Sequence, residues 1–393
     1  MFAFSAVLFY RSLYHSIRWN GRLIEISGSR GVGKTTLMLQ KIHEINSLSA
    51  GKALYCSLDD PFFYKQSLTE VAYEFSRIGG THLFLDEVHK YPSKYRDFDW
   101  SAEIKTLYDK FPEIHFIYTG SSILKLYKGQ GDLSRRKLNY QLPGLSLREF
   151  LQFTQIISLK PLSLDEIIQD HASLSKDIIR QLRIIPEFRN YLKTGYFPYQ
   201  SEAPEQYEQR LKNSISVILE NDIPAVTDIS FETTYKLKKL LSVIASSAPY
   251  TPNLSKTRNE LFIADQRTLL RYLFWLEKAE LITILSRYGK GNQLIRKPEK
   301  IYLNNTNLLN CIDSRHDIGT IRETFFLNQL SNSETVNYTE TGDFMVNNKW
   351  LFEVGGRNKN PGAEIKNNFF LALDDIETSY RNVIPLWLFG FLY

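Results

Sequence analysis

A chain of 393 residues with 43% apolar, 13% aromatic and 23% charged residues holds material for two or three hydrophobic cores, which excludes global disorder. Cys56 and Cys311 are its two cysteines, far apart and with no CxxC or Cys/His spacing, which argues against a disulfide framework or a zinc site and for a reducing, cytoplasmic setting. The net charge of +5 is mild, so its meaning depends on where it lies.

The apolar opening MFAFSAVLFYRSLYHSI is broken by Arg11 well short of the roughly 20 residues that span a bilayer, and it predicts a helix packed on the domain that follows. No other run is long enough to span, so a soluble protein without membrane contact is expected. Residues 23–26 (LIEI) then read as a short strand, followed at once by Gly28, Ser29, Arg30, Gly31, Val32, Gly33, Lys34, Thr35 and Thr36, after which apolar residues recur at helical spacing. Strand, GxxxxGKT loop and helix in that order make a phosphate cradle. Glycines let successive backbone N–H groups curl around a β-phosphate, and the helix N-terminus adds its positive end. Lys34 reaches the β and γ oxygens, and Thr35 ligates Mg²⁺.

The next strand, His82 to Leu85, is nearly all apolar and runs into Asp86 and Glu87, as a parallel strand buried on both faces does at its ligand-binding edge. Asp86 is expected to hold Mg²⁺ through its water shell. Glu87, on the alternate side of the strand, is expected to polarise the attacking water. A third strand, Ile114 to Tyr118, leads into Thr119 and Ser121, hydroxyl residues placed either to touch the γ-phosphate and its water or to cap a helix, the role expected of Ser122.

This order of motifs, GSRGVGKTT, LFLDEVHK, YTGSS and LSRRKLNYQLPGLSLREFL, resembles the AAA+ ATPases, specifically bacterial and archaeal ATPases whose C-terminal part carries a domain of uncharacterised function. The resemblance implies ATP and Mg²⁺ as ligands and hydrolysis as the activity. It matches Arg136 to the family arginine that stabilises transition-state charge in cis or across a homo-oligomer interface, although Arg135 replaces the usual glycine before it. The resemblance extends more weakly to Gly195-Tyr-Phe-Pro198 and Glu220-Asn-Asp222, where Glu220 and Asp222 read as caps or interhelix pairs.

Residues 150–230 turn helical, as an AAA+ lid would. Residues 235–308 read as helix, Pro-containing turn, short helix, a helix capped by Asp265, and a hairpin, which is a winged helix-turn-helix. Leu269, Leu273 and Leu276 form its apolar stripe, and Arg267, Arg271 and Lys278 a separate basic one, with Arg287, Lys290, Arg296 and Lys297 on the wing facing DNA phosphates or, alternatively, a protein partner. Between residues 251 and 300 stand ten cations against five anions, so this window carries the whole net charge.

The last 80 or so residues predict a small α/β domain in which Glu323, Asp343 and Glu353 resemble the acidic set of the PD-(D/E)xK nuclease fold. Gly355 occupies the position of its lysine, Arg357 is a poor base, and Lys359 would have to migrate to help. The closing IPLWLFGFLY reads as a buried strand. The expected architecture is therefore an α/β P-loop core with a parallel sheet (1–149), a helical lid (150–230), a winged helix (231–312) and a nuclease-like C-terminal domain (313–393). The expected function is an ATP-driven switch on DNA- or protein-binding modules. The alternatives are an ATP-liganded DNA-binding regulator with negligible turnover, and an ATP-gated metal-dependent nuclease.

Overall fold

The computed structural model describes residues 9–92, 100–121, 133–227, 229–288, 298–313, 315–359 and 368–393. The wing-tip residues Lys290, Arg296 and Lys297, and Ser122, lie outside them. The chain divides into two compact units: Met1–Pro143 with Asn221–Asp228, and Gly144–Glu220 with Ile229–Tyr393.

The first unit is built on a five-stranded parallel sheet of β1 (Leu23–Gly28), β2 (Ala53–Ser57), β3 (His82–Asp86), β4 (His115–Ser121) and β5 (Leu138–Gln141), in the order β2-β3-β4-β1-β5. All six residues of β1 are buried, which explains why this strand reads as a continuous run instead of an alternation. The helix Lys34–Leu48 lies against β1, β2 and β3. Leu68, Ala72 and Phe75 of helix Leu68–Arg77 and Trp100, Ile104 and Leu107 of helix Trp100–Lys110 join Leu83, Leu85, Phe116 and Tyr118 in one core. Ser67 and Glu70 form a capping box that starts the first of these helices. Because all four strand pairings are parallel, the C-terminal strand ends share one edge, and the sheet is that of an α/β P-loop nucleotide-binding fold.

A short segment of later chain completes this unit. A five-residue π-helical turn, Ile218–Asp222, leads into helix Ile223–Thr227, with Ile223 buried and Val226 packed on the sheet core.

In the second unit, helices Leu147–Phe153, Leu164–Ile179, Ile184–Thr194 and Tyr207–Val217 precede helices Phe231–Ser246, Leu254–Glu260 and Gln266–Lys278, then the antiparallel pair β6 (Ile282–Leu285) and β7 (Lys300–Leu303). Asp265 caps the third of the latter group by accepting from the Thr268 backbone N–H, and Leu269, Leu273 and Leu276 are its buried stripe. Helices Thr306–Ile312 and Ile318–Leu330 lead to a second sheet of β8 (Val336–Asn337), β9 (Phe344–Val346), β10 (Trp350–Gly355), β11 (Phe369–Leu373) and β12 (Val383–Pro385), paired in chain order. Asn347 and Asn348, both at φ near +50°, turn β9 into β10 as an Asn-rich hairpin requires. Phe326, Phe344, Phe352 and Phe389 stack into the core beneath this sheet.

The chain end departs from the strand expected of it. Only Val383–Pro385 is extended, and Leu386–Phe391 forms a buried 3₁₀ helix. Pro385 brings no N–H to prolong the ladder, and a run that is apolar at every position buries all its faces as readily in a helical turn as in a strand.

Candidate phosphate-binding site

At the shared strand edge, the loop Gly28–Gly33 leaves β1 and enters helix Lys34–Leu48. Gly31 and Gly33 have φ of +85° and +97°, which a side-chain-bearing residue resists. A Cβ on Gly28 would meet the Leu142 carbonyl oxygen at 2.4 Å. The loop is held from outside by Arg11, a buried residue that donates to the carbonyls of Val32 (2.8 Å) and Pro143 (2.7 Å). Lys34 is buried too, and its ammonium donates to the Gly28 and Ser29 carbonyls at 2.8 and 2.9 Å, which keeps the charge at the loop mouth. Thr35 and Thr36 are exposed on the first helical turn.

The second motif meets the first directly. The Thr35 hydroxyl donates to Asp86 Oδ2 at 2.7 Å, the Tyr55 hydroxyl donates to the same oxygen at 2.9 Å, and the Thr119 hydroxyl donates to Oδ1. Burial and the adjacent Asp86 charge push the Tyr55 phenol well above its ordinary pKa. A hydroxyl and a carboxylate converging at the end of the phosphate loop are hard oxygen donors of the kind Mg²⁺ takes alongside phosphate oxygens, so the donor set fits that ion. Ser121 ends β4 beside Gly28 in the sheet register, close to the loop but with its hydroxyl role resting on position alone.

Glu87 reaches its place differently from the alternation expected of it. The strand stops at Asp86, and Glu87 sits at φ 53°, ψ 45° in the left-handed region. Its N–H reaches Asp86 Oδ1 (3.1 Å), and its carbonyl accepts from the Lys90 N–H (2.8 Å). Such a backbone is uncommon for a non-glycine residue and concentrates at functional sites. His89 Nε2 and Lys90 Nζ lie 3.4 and 3.5 Å from Glu87 Oε2, and Lys90 is equally close to Asp59.

Arg30 points its guanidinium at Asp222. Burial works against its charge, but the hydrogen bonds and charge of Asp222 outweigh it and raise its pKa. Asp222 is thus an ion-pair partner, as its residue type suggested, but of the phosphate loop, while Glu220 pairs with Lys238.

Arg136 stands elsewhere. It faces Asp109 at 3.6 Å, and Arg22, just before β1, donates to the carbonyl of the neighbouring Tyr108. Both therefore lie at the N-terminal edge of the sheet, a strand length of about 20 Å from the phosphate loop. The cis option for Arg136 is corrected by this placement, since β5 runs parallel to β1 and its start cannot reach the end of β1.

In the second unit the acidic set does come together, with two lysines. Glu323 accepts from the Tyr302 hydroxyl (2.7 Å), Lys300 Nζ lies 3.8 Å from Glu323 and 4.0 Å from Asp343, and Lys359 Nζ lies 2.8 Å from Glu353 and 3.9 Å from Asp343. Burial raises the Glu323 pKa, against the Tyr302 hydrogen bond. Among the described residues no three His, Cys, Asp or Glu side chains converge on one metal position. Each lysine ammonium lies within 4.0 Å of two of the three carboxylates.

Tyr55, Arg11 and His89 are the site residues that sequence reasoning missed. Tyr55 had one available signal: a polar-tipped residue in an apolar strand that must neighbour β3.

A family model described as an AAA domain matches residues 20–151, and a second, described as a domain of unknown function, matches residues 185–318. No curated protein matches. Among solved structures the chain is similar to the Walker-type ATPase PABY2304 of Pyrococcus abyssi (13% identity over 78% of this chain and 96% of that one, TM-score 0.45). It is also similar to the Aeropyrum pernix Orc1 protein in complex with DNA (10%, 75% and 86%, TM-score 0.33) and to AMPPCP-bound DnaA from Aquifex aeolicus (17%, 67% and 84%, TM-score 0.26). The matched AAA region covers the whole parallel sheet and both phosphate-site motifs. Among the described residues no helix is long and apolar enough to cross a membrane.

Proposed function

We propose that the protein binds ATP with Mg²⁺ at the Gly28–Thr36 loop and hydrolyses it, using the nucleotide cycle as a switch on its attached modules. The observation that carries this reading is the meeting of Thr35 with Asp86, because it joins the phosphate loop to the acidic strand end as metal-assisted phosphoryl transfer needs. Mg²⁺, when bound, supplies charge neutralisation across the β- and γ-phosphates. Loop N–H groups and the helix N-terminus bind the phosphates, and Lys34 exchanges its carbonyl partners for phosphate oxygens. Thr35 and Asp86 would hold the ion, with Tyr55 and Thr119 fixing the carboxylate. Glu87 takes the proton of the water that attacks the γ-phosphorus as the bond to the β–γ bridging oxygen breaks, leaving ADP and phosphate.

The second unit provides what the switch acts on. Three helices followed by the β6–β7 hairpin support a winged helix, with Arg267 and Arg271 exposed on its third helix. A polyanion such as DNA suits that face and the basic window around it. Arg287 is already paired with Glu299 and Glu340, so the helix carries more of this reading than the described part of the wing. Any homo-oligomer would draw on Arg136 in trans.

The test is ATP turnover by the wild type, Lys34→Ala and Glu87→Gln proteins, with and without DNA. Lys34→Ala is expected to lose nucleotide binding, and Glu87→Gln to bind ATP while losing about 100-fold or more in turnover. Wild-type turnover no faster than that of Glu87→Gln leaves the DNA-binding regulator as the reading.

A further inference from the structure

Next to the acidic strand end lies a histidine whose surroundings are not explained by packing. The His89 side chain is 4% exposed, and neither ring nitrogen has a hydrogen-bond partner. Its Nε2 stands 3.4 Å from Glu87 Oε2, and that oxygen too is buried without a hydrogen-bond partner. Buried polar groups are satisfied in the great majority of cases, so two unmatched groups facing each other just beyond hydrogen-bond length call for a functional account.

The groups around His89 are Glu87, Lys90, Arg30 and Asp222. Burial lowers its pKa, against the pull of Glu87 and Asp222, which leaves a neutral ring near neutral pH. A neutral imidazole beside a carboxylate takes the tautomer that presents N–H to it. Glu87 itself is rooted by its left-handed backbone and the Lys90 N–H, so its side-chain torsions are the freedom that remains. Lys90 is the other cation near Oε2, but it is a third exposed and shared with Asp59.

We infer that His89 is a positioning residue: its Nε2–H closes on Glu87 Oε2 and turns Oε1 toward the attacking water. This rests on the hydrolase reading and deepens it. Glu87 remains the group that touches the water, and His89 acts through it.

The experiment compares steady-state turnover, affinity for a fluorescent ATP analogue and thermal stability in wild-type, His89→Leu and His89→Gln full-length proteins. His89→Leu is expected to lower kcat about tenfold or more with analogue affinity held within about twofold. His89→Gln, which keeps an N–H at similar reach, is expected to recover most of the rate. The inference is overturned if His89→Leu turns over like wild type, if His89→Gln is as slow as His89→Leu, or if the loss appears in affinity instead of kcat. Wild-type turnover no faster than Glu87→Gln removes the hydrolase reading along with it. Turnover that needs Glu87 but not His89 removes this inference alone.

Discussion

Arg30 of the phosphate loop grips Asp222, 192 positions away: Nη2 lies 2.9 and 3.2 Å from the two carboxylate oxygens and Nε 3.4 Å from one of them. Asp222 is 3% exposed and Arg30 27%, so the pair is anchored at its acidic end and open at its basic end. The eight residues around Asp222 belong to the nucleotide-binding unit, while the chain on either side of them belongs to the other. An arginine of the phosphate loop therefore restrains the short segment of later chain that returns to this unit.

Replacing Asp222 with Ala should destabilise the nucleotide-binding unit by about 2 kcal/mol, less than the 3–5 of a fully buried pair because water reaches Arg30. Denaturant unfolding of Asp222→Ala, Arg30→Met and the double variant measures it. A double variant as unstable as the sum of the singles would mean that the two side chains do not act as a pair.

Tyr55→Phe removes one of three hydroxyls on Asp86 without changing volume. Its cost in stability should be about 1 kcal/mol, with Mg²⁺ half-saturation of ATP turnover rising several-fold, since a less restrained carboxylate orders the ion less well. Mg²⁺ titration of the turnover rate reads this directly, and an unchanged midpoint would assign Tyr55 to packing.

Gly355 leaves room for Lys359, whose Cδ would lie 2.2 Å from a Cβ added there. Lys359 Nζ also donates to the Val354 carbonyl at 2.9 Å. Gly355→Ala should therefore eject the lysine from Glu353 and Asp343 and lower stability by about 1–3 kcal/mol, as overpacking does. Lys359→Met in the same background should then add almost nothing further in a melting comparison.

His82 stacks on His115 with ring centroids 4.7 Å apart, and burial, with repulsion from His115, lowers its pKa to about 4. The unfolded chain, with a histidine pKa near 6.5, binds the proton more readily between those values, so stability falls as pH drops from about 6.5 to about 4. Half-exposure limits the loss to the order of 1 kcal/mol. Melting temperature against pH checks it, and His82→Asn should flatten the slope in that window.

The phosphate loop, Asp86 and Glu87 were legible because anion recognition uses consecutive backbone N–H groups and strand ends, features local to a few residues. The buried stripe Leu269, Leu273 and Leu276 and the Asp265 cap were legible for the same reason. Glu87 was found by type but not by conformation, since alternation along a strand says nothing about a left-handed residue just past its end. The acidic residues Glu323, Asp343 and Glu353 were grouped by resemblance and Lys359 was named as a lysine displaced from the usual position, whereas Lys300 joined them only in three dimensions.

The sequence by itself determined a parallel α/β nucleotide core with its phosphate loop, and helix and hairpin units after it, because periodicity and glycine placement act over short stretches. Only the tertiary structure decided which residues complete the site. Strand order put Tyr55 and Thr119 on Asp86, the return of the chain put Asp222 on Arg30, and a turn folded His89 back onto Glu87. Arg136 moved the other way, to the far edge of the sheet, because a parallel strand starts where its neighbour starts. Hydrogen bonds and charge pairs form between groups adjacent in space, and strand order, not sequence distance, sets that adjacency.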